Sequence, residues 1–137
     1  GSANFNQQIV EQALVSGDYD RHVAGLKGLY TRKRDTFLKA LDENLSSFGS
    51  EVHWTRPKGG LFSWMTVPEG IDTGFDGPLF PRCVEHGVIY VPGEYAFAPE
   101  PSAVPKNHLR LTFGLPSESD LEEGSRRLAL ALNAIMR

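Results

Sequence analysis

Residues 108–113 alternate strictly between polar and apolar side chains, and this pattern constrains the fold more than any other in the chain. A period of two predicts a β-strand with one buried face and one open face. Arg110 stands in the middle of the open face, where it is either a solvated surface charge or a binding group for an anion. The apolar set is Leu109, Leu111 and Phe113, and the polar set is His108, Arg110 and Thr112.

The rest of the chain supplies the partners for this strand. Helical and strand patterns follow one another in the order helix, helix, strand, strand, helix, strand, strand, helix. This order predicts an α+β fold, with a small, mostly antiparallel sheet covered by helices. The helical patterns cover residues 3–16, 18–45, 78–86 and a final helix with Ser117 as N-cap, and the strand patterns cover 51–57, 61–67, 88–93 and 107–114.

Length and composition exclude several classes of protein. The 137 residues suffice for one domain with a buried core. A net charge of -3, with scattered Lys and Arg, gives no reason to expect nucleic acid, and no apolar run is long enough to span a membrane. A single cysteine, Cys83, excludes an internal disulfide, and this fits a cytoplasmic protein. We therefore expect no membrane and no nucleic-acid partner.

No catalytic or metal-binding motif stands out from the residues alone. The four histidines lack ligand spacing, and one cysteine cannot complete a zinc site. The pair Gly59-Gly60 is too short to cradle a phosphate and is typical of a turn. The aromatic residues Trp54, Phe62 and Trp64 are predicted to lie in the core. None of the five lysines shows the apolar surroundings of a covalent-catalysis lysine.

Four stretches in sequence resemble one family. They are "RPKGGLFSWMTVPEGID", "CVEHGVIYVPGEYAF", "NHLRLTF" and "LEEGSRRLALAL". Together they resemble the C-terminal (small) domain of class I/II, fold-type I, pyridoxal-phosphate-dependent aminotransferases, and residues 7–41 resemble the interdomain helix of that family. The resemblance covers nearly the whole chain and implies the same α+β fold.

The resemblance assigns a role to Arg110 and three other residues. Arg110 matches the arginine that binds the α-carboxylate of the amino acid or 2-oxo acid substrate. Gly59 and Gly60 match a turn at the mouth of the site, and Phe97 matches a position near the substrate entrance. These four are the expected substrate-binding residues; no catalytic, cofactor-binding or metal-binding residue is expected within this chain.

The parts of the family that carry the chemistry are missing from this sequence. The family's cofactor lysine, its aspartate partner and its phosphate cup belong to a large domain. We therefore expect a piece of an aminotransferase, inactive alone, whose full-length parent uses pyridoxal phosphate, while the piece itself holds none. Residues 1–2 are expected to be a cloning remnant, 3–45 the helical segment from the missing large domain, and 46–137 the small domain. The expected partners are the substrate, that large domain and a second copy of the parent.

Two alternatives stay open. The same domain occurs in MocR-type transcription regulators, where it would sense an amino acid rather than transform it. A free-standing α+β binding module, with Arg110 as a surface charge, is the third hypothesis. Nothing in these residues separates the enzyme from the regulator.

Overall fold

The structure, a computed structural model, describes residues 18–97 and 104–136, with side chains from residue 21 onward. The helix predicted over residues 3–16 and the expected cloning remnant lie outside the described residues. The chain divides into two compact units, residues 1–32 and 33–137. The strands that the structure describes and the predicted site residues belong to the second unit.

Within residues 18–97 and 104–136, three α-helices follow the predicted order. They are α1 (Asp18–Leu45), α2 (Leu79–Glu85) and α3 (Glu118–Met136), and short 3-10 helices span Ser46–Glu51 and Gly93–Ala96. Gly87, at φ 79°, follows the end of α2, as the sequence predicted. Ser117 Oγ accepts a hydrogen bond from the Asp120 N–H at 3.2 Å, so the predicted N-cap of α3 is confirmed.

In the part of the chain that the structure describes, four short strands form one antiparallel sheet in the order β1-β2-β4-β3. Their bounds are β1 (His53–Trp54), β2 (Phe62–Thr66), β3 (Val91–Pro92) and β4 (His108–Thr112). Strand β3 is shorter than the predicted 88–93. The Val88 N–H donates to the Cys83 carbonyl at the end of α2, and Pro92 has no N–H to give, so pairing is confined to two residues.

One face of this sheet carries the core of the second unit. Leu109, Leu111 and Phe113 are buried, as the alternation predicted, and they join Met65 and Val67 from β2 and the residue after it. The prediction of a sheet covered by helices holds for this face; the other face exposes Phe62 at 45% and Val91 at 39%. The helical residues of the core include Phe37, Leu41, Leu45, Leu79, Leu121, Leu128 and Leu132.

The start of β4 is fixed by side-chain hydrogen bonds. Asn107 Nδ2 donates to the Val67 carbonyl at 2.8 Å, and Thr73 Oγ1 lies within hydrogen-bond distance of the His108 carbonyl at 2.7 Å. Both side chains are buried. The strand that carries Arg110 is therefore held rigidly before it reaches that residue. No helix within the described residues combines the length and apolar character needed to cross a bilayer.

Candidate functional site

Arg110 lies at the centre of the sheet's open face. Its backbone pairs with Trp64 of β2 on one side and with Val91 of β3 on the other. The neighbours Leu109 and Leu111 point into the core and are buried, so alternation along the strand directs the Arg110 side chain to the opposite face. A residue in the middle of a three-strand row has little freedom to change its backbone position.

The Arg110 guanidinium rests on an aromatic ring and lacks a polar partner among the described residues. Its Cζ lies 4.4 Å from the centroid of the Phe62 ring, a cation–π arrangement. Its Nε is buried and makes no hydrogen bond, and no ion pair joins Arg110 to any residue that the structure describes. Buried polar atoms are nearly always bonded, and Arg keeps its charge at any physiological pH. The arrangement suits an anion with planar oxygens, such as a carboxylate.

An aromatic cluster adjoins Arg110 on the same face. The ring of Trp64 lies 5.1 Å from His108 and 5.8 Å from Phe97, and Phe97 lies 6.1 Å from His108, all between centroids. Thr66 Oγ1 and His108 Nδ1 are 3.0 Å apart and share a hydrogen bond. We call Trp64, Phe97 and His108 the aromatic cluster. Burial lowers the pKa of His108, and the nearby His53 lowers it further, and both effects favour the neutral imidazole.

The expected turn glycines lie next to this face rather than on it. Gly59 and Gly60 precede β2, and Gly60 has a φ of 78°, which a side chain would strain. A Cβ at either glycine would meet no atom within 4 Å. Arg34 Nη1 donates to the Lys58 carbonyl at 3.0 Å and so ties this turn to α1. The structure therefore places Phe97 in the cluster beside Arg110, and the two glycines at the end of the neighbouring strand.

The prediction that Phe62 and Trp64 belong to the core is wrong. Strand β2 buries Ser63 and Met65 instead, while Phe62 and Trp64 share the open face with Arg110. The alternation within residues 62–66 contained this information. A count of hydrophobic residues misses it, because two aromatic residues lie on the open face and the buried residue between them is a serine. His108, which the sequence did not single out as a site residue, also belongs to the aromatic cluster. Trp54 does pack against the core.

A separate concave site lies behind the sheet. It has a volume of about 370 Å³, and its lining, which includes Tyr90, Leu111 and the first half of α3, contains neither Arg110 nor Phe62. Its apolar walls continue the core, and we assign it no role in the site. In the described part of the chain, no group of three His, Cys, Asp or Glu side chains is placed to hold a metal.

Comparison with known proteins relates the chain to aminotransferases. Aromatic-amino-acid aminotransferase 1 of Thermococcus litoralis is 38% identical over 135 residues, which cover 98% of this chain and 30% of the relative. The crystal structure of a multiple substrate aminotransferase from Thermococcus profundus matches with a TM-score of 0.81 at 38% identity, over 96% of this chain and 30% of that one. The chain thus spans about a third of the length of these relatives. No family model matches it.

Two further matches concern an aminotransferase solved with a phosphopyridoxyl ligand and a transcriptional regulator. The structure of alpha-aminoadipate aminotransferase from Thermus thermophilus, complexed with N-(5'-phosphopyridoxyl)-L-leucine, has a TM-score of 0.77 at 32% identity over 94% of this chain and 30% of that one. The HTH-type transcriptional regulator TauR of Rhodobacter capsulatus is 30% identical over 126 residues, 92% of this chain and 24% of the regulator. Enzymes and regulators therefore share this domain.

Proposed function

The chain belongs to the class I/II, fold-type I aminotransferase family as its C-terminal small domain, and from this premise we propose that the whole protein transfers an amino group between an amino acid and a 2-oxo acid. Within it, this domain binds the α-carboxylate of the substrate through Arg110. Gly59 and Gly60 form the turn at the mouth of the site, and Phe97 lies at the substrate entrance.

The Arg110 guanidinium, unpartnered among the described residues, carries this proposal. Its Nε is buried without a hydrogen bond, and the ring of Phe62 lies below its planar group. A carboxylate would neutralise the guanidinium by binding at its fork, and each charge-assisted hydrogen bond contributes about 1.5–3 kcal/mol. A surface charge needs neither a buried Nε nor a rigid strand, so the geometry favours a binding role over a solvated one.

Pyridoxal phosphate is proposed as the cofactor of the whole protein, held outside this chain. The cofactor takes up the amino group from one acid and passes it to the other. Two of the lysines have other partners in this domain. Lys33 Nζ donates to the Gly114 carbonyl at 3.1 Å, and Lys39 lies 4.0 Å from Glu43 at the exposed surface. This domain's part is to bind and orient the substrate.

The partners and location form part of the same proposal. The open face of the sheet would contact the large domain of the same chain, and the whole protein would be a homodimer, as expected from the family. A cytoplasmic location is compatible with the buried, unpaired Cys83. We propose no nucleic-acid or membrane partner for the enzyme.

The test uses the whole protein with pyridoxal phosphate and a panel of amino acids and 2-oxo acids. Amino transfer is measured by product formation, and the amino acid concentration at half-maximal rate is compared in Arg110→Gln. Loss of the fork should raise that concentration about tenfold or more. Arg56→Gln is the control, because Arg56 is exposed and pairs with Asp42 away from the site. If Arg110→Gln and the unaltered whole protein reach their half-maximal rates at the same amino acid concentration, Arg110 does not bind the carboxylate.

A second candidate function is an amino-acid-sensing domain of a MocR-type transcription regulator, favoured by the similarity to TauR. Arg110 would then bind the carboxylate of an effector. The same experiment separates the two functions: an enzyme accumulates the new amino acid over many turnovers, whereas a sensor binds the amino acid without turnover. Arg110→Gln should weaken binding in both.

A further inference from the structure

We propose that Arg34 of α1 is a positioning residue for the carboxylate site. It holds residues 57–60, which we call the mouth turn, in the place from which β2 presents Phe62 to the Arg110 guanidinium. Arg34 acts through this turn and not by contact with the substrate. The inference rests on the proposed function, and it goes beyond that function by giving helix α1 control over the site.

The mouth turn depends on a single hydrogen bond within the part of the chain that the structure describes. Arg34 Nη1 donates to the Lys58 carbonyl at 3.0 Å, and residues 57–60 make no other hydrogen bond to the described residues. Pro57 has no N–H to donate, and a Cβ added at either glycine of the turn would meet no atom within 4 Å. A segment with few hydrogen bonds and little packing opens at low cost, so the bond from Arg34 decides how far this turn moves.

The Arg34 guanidinium is oriented for this contact by the residue next to it. Its Nε and Nη2 both donate to Asp35 Oδ1 at 3.2 Å, which leaves Nη1 for the Lys58 carbonyl. The Arg34 side chain is only 24% exposed although it carries a charge. A planar guanidinium that is shared between a carboxylate and a carbonyl has a fixed direction, which a solvated surface charge lacks.

Lys33, the residue before it, fixes α1 to the end of β4. Lys33 Nζ donates to the Gly114 carbonyl at 3.1 Å. Gly114 lies against Leu61, since a Cβ at Gly114 would stand 2.8 Å from Leu61 Cδ2, and the Phe113 N–H donates to the Leu61 carbonyl at 2.9 Å. Two consecutive residues of one helix therefore bind the segment that enters β2 and the segment that leaves β4.

The mouth turn leads into the residue on which the clamp guanidinium rests. Phe62 follows the turn by two positions, and its ring centroid lies 4.4 Å from Arg110 Cζ. Phe62 is exposed, so its ring is not locked by packing and follows its own backbone. A displaced turn would therefore shift the ring and change the direction of the Arg110 fork. Holding the turn preorganises the fork, which lowers the cost of binding a carboxylate.

The test compares Arg34→Met with Lys39→Met in the whole protein. Arg34→Met should raise both the amino acid concentration at half-maximal rate and the dissociation constant of 3-phenylpropionate, a carboxylate without an amino group, about threefold or more. The maximal rate should change less than about twofold, because the turn acts on binding. Lys39→Met is the matched control and should change neither constant: it removes one positive charge from the same helix, where Lys39 is exposed and pairs with Glu43. Arg34→Lys keeps a donor for the Lys58 carbonyl and should restore both constants to within about twofold.

A double variant shows whether Arg34 acts through the clamp. Arg34→Met combined with Arg110→Gln should bind 3-phenylpropionate as Arg110→Gln alone does, because no fork is left to misdirect. If the loss in Arg34→Met persists in full in the double variant, if Lys39→Met shows the same loss, or if Arg34→Met changes nothing, this inference fails alone. If Arg110→Gln by itself does not weaken binding, the carboxylate role fails, and the positioning role fails with it.

Discussion

The guanidinium carbon of Arg110 lies 4.4 Å from the ring centroid of Phe62 on the neighbouring strand β2. The backbone partner of Phe62 is Thr112, and not Arg110. The side chain therefore reaches diagonally across the sheet rather than straight out from it. This contact orients the fork without using any of its N–H groups, because a ring face attracts the charge but accepts no conventional hydrogen bond. The donors stay free for a ligand.

Phe62→Leu tests this orientation. The substitution keeps an apolar side chain but removes the ring, and a cation–π contact at a partly exposed site is worth about 0.5–1 kcal/mol. Binding of the unreactive carboxylate 3-phenylpropionate to the whole protein, measured by calorimetry, should weaken about two- to fivefold, less than in Arg110→Gln. Phe75→Leu is the control, since Phe75 is exposed but packs against Phe80 and Tyr95. An effect as large as that of Arg110→Gln would mean that the ring does more than orient the fork.

Gly93→Ala and Gly59→Ala form a matched pair for the loop over the aromatic cluster. At Gly93 a new Cβ would overlap the Cβ of His108 and the ring of Trp64, whereas at Gly59 it meets no atom within 4 Å. Overpacking costs about 1–3 kcal/mol. Hydrogen exchange of the whole protein should show faster exchange in residues 91–97 and 108–112 for Gly93→Ala only. Unchanged protection in Gly93→Ala would show that the loop does not press on the cluster.

His108 should make the stability of this domain depend on pH. Its pKa is lowered in the fold, by burial first and by His53 second, below the ordinary value of 6.5. The unfolded chain therefore binds the proton at a pH where the folded domain does not, and stability falls as the pH drops below about 6.5, until the folded-state pKa is passed.

The measurement is the exchange protection of β4 in the whole protein between pH 7.5 and 5, corrected for intrinsic exchange. His108→Gln should flatten the loss of protection toward low pH, and His53→Gln should reduce it partly, because it removes the charge that lowers the His108 pKa. Identical profiles in His108→Gln and the unaltered protein would rule out this residue as the source.

The sequence by itself determined the order of the described elements and the faces of the central strand. Alternation in 108–113 assigned Leu109, Leu111 and Phe113 to the core and Arg110 to the open face, because a period of two leaves no other division of a strand. The cap at Ser117 and the stop at Gly87 were equally local, since each depends on a few neighbouring residues. The order of the motifs also identified the family.

Only the tertiary structure decided what surrounds Arg110. Strand register decides which strands flank Arg110 and which ring lies under its guanidinium. The path of the loop decides that Phe97 contacts Trp64 and His108, which are far from it or from each other in sequence. The sequence misplaced Phe62 and Trp64 in the core because large apolar side chains are usually buried. Hydrophobicity does not tell which face of a strand is covered. A face that is apolar and still open becomes visible only when the strands are paired.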